Sequence, residues 1–166
     1  MDHIQGQSPG ESQARRLETT VEQIAALVRQ PENAQRLRAA PGENEWTVLQ
    51  VLGHCAEMIP YWLAQCRRLI ESSGAEPPQI GRAADDPGRL AGVERGARGN
   101  PDELLAQLEA ETQKGAAAIR AFGDEERAKK ATSPRWGEIA VADIVERFIV
   151  VHAGEHLEQI RAALRR

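Results

Sequence analysis

Laid out at 100° per residue, Val48, Val51, Leu52, Cys55, Met58, Ile59, Trp62, Cys66, Leu69 and Ile70 form one continuous apolar stripe. That pattern commits the chain from about Thr47 to Ser72 to a single amphipathic helix, and such a helix needs other elements to cover its face. Three more segments carry the same period. Leu17, Val21, Ile24, Ala25 and Val28 come before it and are stopped by Pro31; Leu104, Leu105, Leu108, Ile119 and Phe122 follow; Val145, Phe148, Ile149, Ile160 and Ala163 lie near the end. Between the second and third segments, the 27 residues 73–99 hold six Gly and three Pro without convincing periodicity. A connection of that length lets the helices it joins run parallel along a bundle. The expected fold is all-α, a four-helix bundle with a long crossover between helices 2 and 3.

Local signals set the boundaries. Thr47 and Gln50 have capping-box spacing, and Pro60 inside the second pattern predicts a kink rather than two helices. Asn100, Pro101, Asp102 and Glu103 announce the third helix and Gly123 closes it. Ser133 to Gly137 reads as a turn before a helix from about Val141 to Ala163, and 32–38 as a short helical piece. Residues 1–10 read as a disordered leader and 11–166 as one domain.

Composition narrows the partners. With 25 acidic against 21 basic residues, a formal charge of −4, the chain lacks the basic surplus that holds nucleic acid. Its longest strongly apolar run, Phe148 to Val151, falls far short of the ~20 residues of a membrane-spanning helix, and Met1 to Gln5 has no signal-peptide character. The expected compartment is the cytoplasm. Cys55 and Cys66 lie eleven residues apart on one helix, roughly 16 Å at ~1.5 Å per residue, too far for a disulfide. Both follow the apolar stripe and read as small buried hydrophobes.

The four histidines carry the chemistry. His3 belongs to the leader. His152 and His156, four residues apart, share the face of Val145, Phe148, Ile149, Ile160 and Ala163, so both imidazoles point inward. Buried imidazoles need partners, and a divalent cation bound by neutral nitrogens is one. An isolated i, i+4 pair is more often a hydrogen-bonded accident; His54, at the edge of the second helix's stripe, changes the balance. Three imidazoles from two helices leave open positions for water or substrate, the form of a catalytic metal site. Glu57, Met58 and Tyr61 flank His54 on its own side and are the candidate substrate or cofactor contacts.

Two segments resemble a known family. Glu45-Trp46-Thr47-Val48-Leu49-Gln50-Val51-Leu52-Gly53-His54 is similar to the W-[ST]-x-x-[EQ]-[VIL]-[LV]-x-H run that opens the second helix of DinB-like proteins. Trp136-Gly137-Glu138, then Val151-His152-Ala153-Gly154-Glu155-His156-Leu157-Glu158-Gln159-Ile160, resembles their closing G-E … H-x-x-x-H-x-x-Q-I segment. The resemblance implies an up-down-down-up bundle and a divalent metal on His54, His152 and His156, nickel or zinc ahead of manganese or iron. It implies a small-molecule substrate and a homodimer. Family members of known activity are thiol S-transferases using low-molecular-weight thiols such as bacillithiol, mycothiol or glutathione, with one branch isomerising maleylpyruvate. The alternative is a non-catalytic, stress-related metal- or ligand-binding protein on the same scaffold. A metalloprotease H-E-x-x-H site is excluded, since position 153 is Ala153.

Two further residues have two readings each. Glu155 is a solvated flank residue or a carboxylate behind His152; Arg68 is a solvated arginine or an attractor of an acidic thiol. Trp46 and Trp136, preceding the two ligand helices, read as packing anchors.

Overall fold

The computed structural model describes residues 7–165. Helix α1 (Pro9–Arg29) is capped by Ser8, whose hydroxyl accepts from Glu11 N–H, and it buries Leu17, Val21, Ile24 and Val28. Pro9 and Gly10, assigned to the leader, are therefore the first turn of α1; the rest of that segment up to residue 6, with His3, lies outside the described residues. After a 3₁₀ turn (Pro31–Asn33), α2 spans Val48–Glu71. Its capping box is complete: Thr47 N–H donates to Gln50 Oε1 at 2.8 Å and Gln50 N–H to Thr47 Oγ1 at 3.2 Å. The helix continues through Pro60, one helix rather than two, although the missing N–H deprives the Ala56 carbonyl of its helical partner.

The crossover holds a helix that periodicity does not reveal. Asp86 accepts from Arg89 N–H and Pro87 takes the first position of α3 (Pro87–Arg98). Its buried face is Gly92, Val93 and Gly96, laid on Gly53 of α2. A Cβ on Gly96 would overlap the Leu49 carbonyl and sit 2.7 Å from Gln50 Cα, so glycine lets the two backbones touch. A face made of absent side chains leaves no hydrophobic period to detect.

Helix α4 (Pro101–Ala121) is capped by Asn100, which accepts from Asp102 and Glu103 N–H. It ends at Phe122, and Gly123 opens a short α5 (Asp124–Ala128) instead of simply closing the run. The expected turn at 133–137 is there, but it joins two strands absent from the sequence reading, β1 (Lys130–Ser133) and β2 (Gly137–Ala140), paired antiparallel. The crossover adds Gln79 alongside Thr132, with Ile80 N–H donating to Thr132 O at 2.9 Å. The hairpin is too small to alter the class of an all-α bundle.

The last rod begins as α6 (Val141–Ile144), passes through a π-helical segment (Val145–Val151) and continues as α7 (His152–Leu164). Its junctions keep right-handed helical dihedrals. The wider turn seats Ile149 and Val150 in the core while Phe148 and Val151 line a cleft, and π-turns occur often at functional sites.

Side-chain pairs give the helix directions. Arg120 meets Glu11 and Glu18 while Arg29 meets Glu109, so α1 and α4 are antiparallel. Gln13 bonds Glu146 and Arg161 bonds Gln23, so α1 and the last rod are parallel. Trp62 stacks on Phe148 while His54 faces His152 and His156, so α2 opposes the last rod. The order is up-down-down-up, and the crossover joins two parallel helices.

Candidate metal centre

His54 comes from the second turn of α2, and His152 and His156 from the first two turns of α7, just beyond the π-helical segment. The antiparallel pairing of these rods brings the three rings together. Each imidazole offers a nitrogen, and these atoms lie within 4.8 Å of one another. Ring centroids are 4.4 Å apart for His152 and His156, 4.9 Å for His54 and His156, and 5.8 Å for His54 and His152. His54 and His156 are buried and His152 is half-exposed.

The tautomers follow from the hydrogen bonds. His152 Nδ1 lies 2.9 Å from Glu155 Oε2; an ionised carboxylate only accepts, so Nδ1 carries the proton. His156 Nδ1 lies 2.9 Å from Gln159 Oε1 and donates likewise. Both Nε2 atoms then present lone pairs, and they face each other at 3.1 Å. Two acceptors at that distance repel unless a cation lies between them. Two nitrogens ligating one zinc-like ion at ~2.1 Å, with a tetrahedral or square angle, stand roughly 3.0–3.4 Å apart, so the pair fits a divalent ion. His54 adds a buried Nδ1 with no hydrogen-bond partner. Glu155 therefore takes the orienting role that its sequence position left open.

Burial keeps the His54 and His156 imidazoles neutral. Burial pushes His54 down to about 3, helped by His156 and His152, and pushes His156 down to about 4, with His152 the next cause. Trp46 packs 5.1 Å from His54 and stacks on His156 at 6.4 Å, an anchor as expected. Burial raises the Cys55 and Cys66 thiols to about 12, so neither supplies a thiolate.

Above the histidines opens a cleft of ≈ 730 Å³, within the range of small-molecule sites. Its apolar wall includes Met58, Trp62, Phe148 and Val151. Of the candidate contacts beside His54, Met58 lines this cleft. Glu57 and Tyr61 stand behind Arg82: Glu57 holds the guanidinium with both oxygens, one at 3.0 Å, and the Tyr61 ring lies 3.8 Å beneath it. Asp86 completes the ion-pair cluster and ties the start of α3 to α2. Arg68 donates to Gln79 O at 2.9 Å and does not line the cleft. Trp136 is no buried anchor: it is 43% exposed at the cleft rim, because the hairpin turn carries it outward. Arg89, Arg135 and Arg147 also line the cleft and had no signal in the sequence, since α3, the hairpin and the π-helical segment each contribute one.

No helix among the described residues is long and apolar enough to cross a membrane. No functionally curated protein matches the sequence. Among solved structures, YfiT from Bacillus subtilis, described as a probable metal-dependent hydrolase with an unusual four-helix bundle topology, superposes with a TM-score of 0.75. The match covers 99% of this chain and 91% of that one at 17% identity, which establishes a shared fold. A family model of the DinB superfamily matches residues 12–160, nearly the whole bundle and all three histidines, and the chain belongs to that superfamily.

Proposed function

We propose that the protein binds a divalent metal through His54, His152 and His156 and uses it to transfer a low-molecular-weight thiol to an electrophilic small molecule. The observation that carries this reading is the pair of Nε2 atoms facing each other at 3.1 Å, with each ring's Nδ1 engaged 2.9 Å from its own acceptor. When bound, such an ion supplies Lewis acidity that favours the thiolate of a bound thiol. The chain's residues do the rest: Glu155 and Gln159 fix the rings, Trp46 shields two of them from water, and Met58, Trp62 and Phe148 offer the acceptor an apolar wall. Glu57 and Tyr61 act through Arg82 as positioning residues. In the reaction the thiol's sulfur–hydrogen bond breaks, its proton passes to solvent, and a sulfur–carbon bond forms. The acceptor's bond at that carbon breaks with its electron pair going to the departing chloride or to the opened epoxide oxygen, which takes up a proton from water. The thiol comes from outside, since both cysteines are buried and protonated.

Protein loaded with nickel, zinc or manganese should conjugate at least one of bacillithiol, mycothiol or glutathione to a chloroarene or epoxide, and His152→Ala should not. Metal retention with no conjugation across the panel defeats the transferase reading and leaves the non-catalytic binding protein. Hydrolysis is the second reading, favoured by the description of YfiT; ester or amide cleavage without added thiol would support it. On the family's pattern the active form is a cytoplasmic homodimer, tested by light scattering against the 18.2 kDa chain mass.

A further inference from the structure

The cleft is basic in an acidic protein. Overall the chain has 25 acidic and 21 basic residues, yet four arginines and a single carboxylate, Glu155, line this cleft. Glu155 is engaged with His152, and Arg82 is neutralised by Glu57 and Asp86. That leaves Arg89, Arg135 and Arg147, none of which pairs with a carboxylate among the described residues. Each is nevertheless held in place. The Arg135 and Arg147 guanidinium carbons lie 5.0 and 4.7 Å from the Trp136 ring centroid, and that of Arg89 lies 4.9 Å from the Trp46 ring centroid. Arg89 also donates to the Ala84 carbonyl.

Unpaired guanidiniums in one concave wall repel one another and focus a positive potential into the space they enclose. Stacking on an indole uses the face of a guanidinium and leaves its N–H edge free for a planar or tetrahedral oxyanion. We propose that the cleft selects an anionic small molecule, whose carboxylate or phosphate group is gripped by Arg135 and Arg147 at the Trp136 rim while its other end reaches the histidines. Arg89 adds a third charge. The inference rests on the function proposed above for the reacting end of the molecule; the anion grip stands on the arginines alone.

Titrating the purified full-length protein with succinate and, separately, with inorganic phosphate at low salt tests it, by calorimetry and by the fluorescence of Trp62 and Trp136 in the cleft wall. At least one probe should bind, less tightly as salt rises, and the tighter of the two names the anion class. The Arg135→Gln/Arg147→Gln variant, altered only at exposed positions, should bind roughly tenfold more weakly with an unchanged melting temperature. His152→Ala should retain the binding, because the grip does not need the histidines. Failure of both probes to bind, equal affinity in the double arginine variant, or loss of binding in His152→Ala each overturns the proposal. Anion binding without thiol transfer would sink only the transferase reading; transfer between two neutral substrates without anion binding would sink only this inference.

Discussion

The α1–α4 pair and the α2–last-rod pair are both antiparallel, yet they are built on different terms. In the first, Leu17, Leu105, Leu108 and Ile119 are fully buried, and Arg120 spans to Glu11 and Glu18 outside them. The second contains an internal proline, a π-helical segment, three clustered imidazoles and a buried nitrogen without a partner. Regular packing on one side supplies the rigidity that lets the other keep costly groups in a fixed arrangement, and departures from local ideality concentrate where ligand chemistry is.

The largest expected effects should therefore separate cleanly. Leu108→Ala removes a fully buried side chain from the regular side and should cost about 2–5 kcal/mol in denaturant unfolding, with metal content unchanged in the folded protein. His152→Ala should do the reverse: elemental analysis finds the metal gone, and about 4 kcal/mol of metal-derived stability at 1,000-fold excess over Kd disappears. Loss of metal from folded Leu108→Ala would show that the two sides are one unit.

Acid should find the histidine side first. In the metal-free protein, His54 and His156 take up a proton only near pH 3 and 4, whereas in the unfolded chain they do so near 6.5. Across that window the unfolded state binds more protons. Stability is thus fully present above pH 6.5 and falls as pH drops, by at most about 1.4 kcal/mol per pH unit for each histidine. A flat unfolding free energy between pH 6.5 and 4.5 would contradict the burial of these rings.

Gly96→Ala tests the interface that places Arg89. The new methyl would meet the α2 backbone, which cannot rotate away, and about 1–3 kcal/mol should be lost in thermal unfolding. This interface also shows why part of the fold was hidden. Caps such as Thr47 with Gln50, and Asn100 before Pro101, are local and legible, and so are stripes of large apolar residues. Helix α3 packs through glycines, which leave no hydrophobic signal. The β1–β2 strands are four residues each, too short for a period of two to register. The π-helical segment keeps ordinary helical dihedrals at both junctions, and its apolar residues fit the period of a regular helix. In the site, the histidines were readable because two share a helix face and the third follows a capping signal. The arginines were not, because one comes from each of three separate elements and only the folded chain gathers them.

The smallest effect concerns the regular side. Arg120 hydrogen-bonds Glu11 and Glu18 and holds both carboxyls below their usual range. Being exposed, these pairs are screened, since the Debye length shrinks to about 3 Å at 1 M salt. Arg120→Gln should lower the melting temperature slightly at low salt and not at all at 1 M. A depressed carboxylate stabilises the fold above the unfolded pKa of 4.5 and loses that contribution as pH falls below it. The variant's pH profile should therefore keep the wild type's slope through most of the range from 6.5 to 4.5, which the buried His54 and His156 set, and flatten relative to it below 4.5. A change of slope in the upper window instead would mean that the ion pairs of α1 and α4 help to set the imidazoles' surroundings, and the division of the bundle into a supporting and a reacting half would fail.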